Sequence, residues 1–205
     1  MAPEQRVPII MEFDMFIQTE ATPNPATLKF LPGRVVLDQG TADFRDAEGA
    51  SQASPLAGSL FTILGVTGVF FGYDFVTVTK DDAQEWPHLK PAILGAIMEH
   101  FMSDRPVMAD GGTEHQVAAE GEEFYDAADE EIVQTIKELL DTRVRPAVAQ
   151  DGGDITFRGF EKGTVFLHMK GACAGCPSST ATLKHGIQNL LRHFVPEVEQ
   201  VEQTS

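Results

Sequence analysis

The sequence predicts an α+β protein made of two small α/β domains joined by an acidic flexible linker. Three observations predict it. In both halves of the 205-residue chain, short β-branched and aromatic runs alternate with longer stretches whose apolar residues recur at helical spacing. Glycine and proline punctuate nearly every junction between them. Between the halves, residues 103–127 carry few large apolar side chains and a run of acids, Asp104, Asp110, Glu114, Glu120, Glu122, Glu123 and Asp126. Such a segment cannot bury enough apolar surface to offset its chain entropy, so it is expected to be a linker. The expected divisions are a loose arm over 1–14, a first domain over 15–102, the linker over 103–127 and a second domain over 128–205.

In the first domain, Phe16, Ile17 and Gln18 open a strand, and Pro23-Asn24-Pro25 turns the chain, because closely spaced prolines forbid a helix. Leu28 to Leu31 resumes a strand that Pro32-Gly33 closes, and another apolar stretch runs from Arg34 to Leu37. Residues 38–54 read as mixed and partly loop. Ser54-Pro55 then presents an N-cap and a first helical residue, followed by Leu56, Leu60, Phe61 and Leu64, with Gly65 as the stop. Val66–Phe71 and Phe75–Thr79 form a hairpin around Gly72-Tyr73-Asp74. Trp86 to Phe101 is a helix with Leu89, Ile93, Ile97 and Phe101 on one stripe. Trp86 is expected to anchor that helix by packing.

The second domain is expected to be an α-β-β-α-β unit with a short sheet and two helices. Its first helix spans Ala128 to Ala149, with Asp129 as N-cap and Ile132, Val133, Ile136, Leu139, Leu140 and Val144 inward. Gln150 to Gly153 is a turn, so the run Asp151-Gly152-Gly153-Asp154 is neither a phosphate loop nor a calcium loop. Ile155–Phe160 and Thr164–Lys170 are strands, the second with Val165, Leu167 and Met169 on one face. Gly171 to Gly175 is a loop, and Pro177 opens the second helix, which bears Leu183, Ile187, Leu190, Leu191 and Phe194. Pro196 ends it before a short last strand over Val198–Val201. Lys184 and Arg192 read as solvated helix positions, and Ser178 and Ser179 as helix-start residues.

The charge balance of −16 repels phosphate backbones and anionic lipid, so neither nucleic acid nor a membrane is an expected partner. No stretch approaches the roughly 20 apolar residues of a membrane span. The N-terminal residues do not read as a secretory signal, and Glu4, Glu12 and Asp14 argue against a transit peptide.

Only two cysteines are present, Cys173 and Cys176, three residues apart. Gly171 and Gly175 leave the backbone free to wrap closely. The helix starting at Pro177 turns its positive end toward both thiols, which should favour thiolate. Four readings stand: two reduced cysteines without function, a redox pair, a zinc site, and an iron–sulfur cluster. A zinc site or a common cluster needs four protein ligands, and one chain offers two cysteines. His168 and His185 are candidates to complete zinc but read better as surface or half-buried residues. Two copies of the chain supply four thiolates, so the pair reads as half of a site shared across a two-fold axis.

The stretch from Asp151 to Glu199 resembles the NifU-like C-terminal domain family. The resemblance is carried by Asp151-Gly152-Gly153-Asp154-Ile155, by Gly171-Ala172-Cys173-Ala174-Gly175-Cys176-Pro177-Ser178-Ser179, by Thr182-Leu183-Lys184-His185-Gly186-Ile187 and by Pro196-Glu197-Val198. The first half is similar to the Nfu N-terminal domain through Met15 to Pro25, Phe70-Phe71-Gly72, Trp86 and Leu89-Lys90-Pro91. The resemblance implies a non-enzymatic iron–sulfur cluster carrier. It implies a [4Fe–4S] cluster held between two protomers by Cys173 and Cys176 of each and passed to apo client enzymes, with scaffold proteins as donors. It implies a cytoplasmic protein in a bacterium and a matrix protein in a mitochondrion. The first domain carries no cysteine and no evident catalytic set, and the resemblance makes it an interaction or modulating module. The function from a different class is a thiol–disulfide oxidoreductase using the same pair.

Overall fold

The computed structural model describes residues 16–109, 123–174 and 177–204; the expected arm over 1–14 and the middle of the expected linker lie outside them. The described chain forms two α/β units, each with its own sheet and core.

In the first unit, strands β1 (Gln18–Ala21), β2 (Thr27–Leu31), β3 (Ala42–Phe44), β4 (Val66–Phe71) and β5 (Val76–Lys80) form an antiparallel sheet in the order β1-β2-β5-β4-β3. Helices α1 (Ala47–Ala53), α2 (Pro55–Phe61) and α3 (Trp86–Met102) cover one face. Phe30, Leu56, Leu60, Phe71, Val76, Val78, Ile93 and Ile97 fill the space between. Ser54 caps α2 as its sequence implies, its Oγ accepting from the Ala57 amide at 3.0 Å. It also donates to the Val107 carbonyl at 2.5 Å, which fastens the chain leaving α3 to the helical layer. Trp86 packs against this core, and its Nε1 donates to the Pro25 carbonyl at 3.1 Å.

Two short elements, β3 and α1, occupy the stretch read as mixed and partly loop. Asp46 starts α1 by accepting from the Gly49 amide at 2.7 Å. The expected helix through Leu64 ends earlier, at Phe61, and Leu64 is exposed.

In the second unit, a short 3₁₀ turn (Ala127–Asp129) leads into α4 (Glu130–Leu139), a π-helical turn over Leu140–Val144, and α5 (Arg145–Gln150). A single regular helix was the expectation. Pro146 explains the difference, because it has no N–H to give and its ring crowds the carbonyl one turn earlier. The N-cap also shifts. Asp129 makes no capping bond, whereas Asp126 accepts from the Ala128 amide at 2.9 Å. Strands β6 (Gly153–Glu161) and β7 (Thr164–Gly171) form a hairpin, and β8 (Gln200–Thr204) adds parallel to β7. Helix α6 (Pro177–Phe194) connects β7 to β8. Val165, Leu167 and Met169 face one core with Ile136, Val148, Ile155, Ile187 and Leu191. Phe124 forms a bridge with Gly159, and its ring lies 5.2 Å from that of Phe166, so the chain entering this unit packs on its sheet. Among the described residues, no helix is long and apolar enough to cross a membrane.

Candidate functional site

Strand β7 delivers the chain to Gly171, and the next three residues turn sharply toward α6. The Ala172 amide donates to the Gly152 carbonyl at 3.2 Å, the Cys173 amide to Lys170 at 3.3 Å and the Ala174 amide to Gly171 at 3.2 Å. Thr180, on the first turns of α6, donates its hydroxyl to the Cys173 carbonyl at 3.1 Å. Cys173 is therefore fixed from both sides, on a loop whose geometry the β6–β7 ladder sets. Cys176, its expected companion, lies outside the described residues.

The loop needs small residues at close range. A Cβ on Gly153 would lie 2.7 Å from the Cys173 Sγ and 2.6 Å from the Lys170 carbonyl oxygen, so only glycine leaves room for the thiol. Gly152 (φ +82°) and Gly171 (φ +60°) take left-handed backbone conformations that other residues adopt at a cost. The run Asp151-Gly152-Gly153-Asp154 is thus a turn, as its sequence implies, but a turn that frames the cysteine.

The thiol itself corrects one expectation. Helix polarity was expected to favour thiolate at Cys173. Instead Cys173 is only 6% exposed. Burial pushes its pKa up to about 12, helped by the negative charges of Asp151 and then Asp154.

Asp154 is itself buried and answered. Arg145 grips it with two bonds, Nε to Oδ1 at 2.8 Å and Nη2 to Oδ2 at 2.9 Å, while Thr41 of the first unit donates to Oδ2 at 3.0 Å. This bidentate contact holds the guanidinium pKa above the ordinary arginine range. No feature of the sequence singled out Arg145 or Thr41; the pairing joins α5, β6 and the loop just before β3.

His168 sits on β7 and His185 on α6. Among the described residues, no group of three or more His, Cys, Asp or Glu side chains is placed to hold a metal ion. Lys184, read as a solvated position, pairs with Glu202 at 2.8 Å and ties α6 to β8. That hydrogen bond lowers the Glu202 carboxyl pKa.

The comparisons with known proteins agree with this division. Residues 17–104 match the family described as "Scaffold protein Nfu/NifU N terminal", and residues 136–202 match the "NifU-like domain". The chain is 51% identical over 201 residues to "NFU1 iron-sulfur cluster scaffold homolog, mitochondrial" of Drosophila sechellia, covering 98% of this chain and 69% of that protein. It is 52% identical over 191 residues to "NifU-like protein 4, mitochondrial" of Arabidopsis thaliana, covering 92% of this chain and 66% of that one. It is 50% identical over 190 residues to the Homo sapiens protein named like the Drosophila one, covering 92% and 72%. The chain belongs to the Nfu/NifU family of scaffold proteins. Its role is that of a scaffold and carrier rather than an enzyme.

Proposed function

We propose that this chain carries a [4Fe–4S] cluster as cargo, held between two copies by Cys173 and Cys176 of each, and hands it to apo-proteins. The observation that carries the reading is the setting of Cys173. It sits at the tip of β7 inside the match to the NifU-like domain, with Gly153 shaped to clear its sulfur. Among the described residues no group of three or more metal-binding side chains gathers at Cys173, which suits a site completed by another chain. A thiol raised by burial still binds iron, because the metal displaces the proton and its binding energy offsets the cost. The proposed division of labour follows the boundaries read from sequence, with 15–102 as modulating domain, 103–127 as acidic connection and 128–205 as cluster domain, although the described ends of the connection are fastened to the two units rather than loose. Partners would be a second copy, donor scaffolds and apo client enzymes. The relatives are mitochondrial by name, which matches the matrix branch of the expected location.

The oxidoreductase reading fares worse. A redox nucleophile needs an exposed thiol of low pKa, and Cys173 is buried with a raised one. Anaerobic reconstitution with iron and sulfide tests the proposal. Broad absorption near 400 nm and about four irons per dimer are expected for a shared [4Fe–4S] centre. Cys173→Ala and Cys176→Ala should each abolish both signals. A double variant that still acquires a full cluster rules the assignment out.

A further inference from the structure

The first unit's sheet has a second face, opposite its helices, and that face is not open to solvent. One residue from each of the five strands lies along a single cross-strand row: Glu20 opposite Lys29, Lys29 opposite Thr77, Thr77 opposite Phe70, and Phe70 opposite Asp43. The three central members point away from their own core yet are buried, Lys29 at 6% exposure, Thr77 at 1% and Phe70 at 1%. What buries them is the cysteine loop and the turn that frames it.

The contacts run along the row. Lys29, paired with Glu20 at 3.4 Å, donates to the Ala149 and Gln150 carbonyls at 3.2 and 3.1 Å. Those carbonyls end α5, where the helix dipole favours a cation. Thr77 donates to the Gly152 carbonyl at 2.7 Å. Phe70 lies against Gly171, where an added Cβ would meet its ring at 2.8 Å. Asp43 accepts from the Gly171 amide at 3.4 Å. Beyond the row, Asn24 is buried and its Nδ2 faces the carbonyls of Ala172 and Ala174, at 3.4 and 3.3 Å, on either side of Cys173. None of these contacts lies in the match to the NifU-like domain alone; each needs the first unit.

We propose that this sheet face is an intramolecular cap that holds the cysteine loop shut, and that it leaves when a second copy brings up its own cysteines. The inference rests on the shared-cluster reading for the second clause only. A site built from two chains requires both loops to meet, and here the first unit holds the backbone on either side of Cys173 while the thiol lies in the second unit's own core, so the loop must be let go before the thiol can turn outward. The first domain thereby acquires a role without chemistry of its own: it competes with the second copy for the loop.

Two substitutions separate the cap from mere folding. Thr77→Arg drives a long cation into the row while leaving the helix-facing core untouched. Asn24→Asp keeps the oxygen that accepts from the Ala26 amide at 3.0 Å, and so keeps the turn, but replaces the donor facing two carbonyls with an anion. In a Cys176→Ser background Cys173 is the sole thiol. Its alkylation by iodoacetamide should then quicken at least about tenfold in each variant, in proportion to the opened population. Circular dichroism and melting confirm that the variants remain folded, and Asn24→Asp decides the matter if Thr77→Arg does not. Equal labelling rates in folded variants and parent overturn the cap. With Cys176 restored, cluster loading should quicken in the same variants; faster labelling without faster loading overturns the competition. If neither parent nor variants acquire a cluster while labelling still quickens, the cap stands and the cluster reading falls.

Discussion

Asp154 is a carboxylate with almost no water, 4% exposed, and its charge is tolerable only because Arg145 and Thr41 donate to it. Removing a partner should cost more than removing the charge. Arg145→Met strands a buried anion beside Cys173. Because the guanidinium is itself 38% exposed, the loss is expected at about 1–3 kcal/mol rather than the full cost of breaking a dry pair. Asp154→Asn leaves a neutral amide that still accepts, and Arg145 keeps Asp141 at 3.0 Å, so its penalty should be smaller. Urea unfolding of both variants checks the order; an equal or larger loss for Asp154→Asn contradicts it. Gly153→Ala is the second prediction at this scale. Its methyl would press on the Lys170 carbonyl and the Cys173 sulfur, an overpacking worth about 1–3 kcal/mol. It should lower both stability and the iron retained after reconstitution. The cysteine pair and its flanking glycines were legible in the sequence. The ionisation of Cys173 was not, since helix polarity is read from neighbours in the chain while burial depends on residues far away in it.

At the scale of elements, what the sequence disclosed followed length and period. Helix α3 and the β4–β5 hairpin carry long, regular signals and lie where their patterns place them. Strand β3 and helix α1, three and seven residues long, are too short for periodicity to declare them. Pairing with β4 holds β3 and caps hold α1, and Ser54 closes α1 and opens α2 at once. Ser54→Ala removes the cap on the Ala57 amide and leaves the Val107 carbonyl without its donor. A loss of about 1–3 kcal/mol is expected in denaturant unfolding. The last turn of α3 holds a pH-sensitive group. His100 is buried against Phe101, and burial, followed by the charge of Arg105, lowers its pKa below the ordinary 6.5. In the unfolded chain it takes up a proton at pH values where the folded chain does not. The stability it contributes is therefore present above about pH 6.5 and is lost as pH falls through the folded pKa. Melting curves between pH 7.5 and 5.5 should show that decline flattened in His100→Leu; an unchanged slope would exclude His100 as its source.

For the whole molecule, the contact between the two units decides which sequence signals could be seen at all. Alternation along β2 and β5 marks Lys29 and Thr77 as opposite to the core, and polar residues in that position ordinarily meet water. Nothing in their own strands says that a second domain covers them. The one legible hint is in β4, where Val69-Phe70-Phe71 is apolar on both faces, the pattern of a strand buried on both sides. The contact also makes a prediction about coupling. Ile93→Ala opens a cavity in the first unit's core, more than 50 residues before the loop in sequence, at an expected cost of about 2–5 kcal/mol. If the sheet face holds the loop, opening the first unit must release it. Hydrogen exchange at the Gly171 and Ala172 amides should then quicken in Ile93→Ala, while amides of β8, which pairs with β7 on the far side from β6, keep their protection. Faster exchange throughout the second unit would point to global unfolding. Exchange at Gly171 and Ala172 unchanged in a destabilised first unit would mean that the second unit closes its own loop, with the sheet face resting on it and contributing nothing.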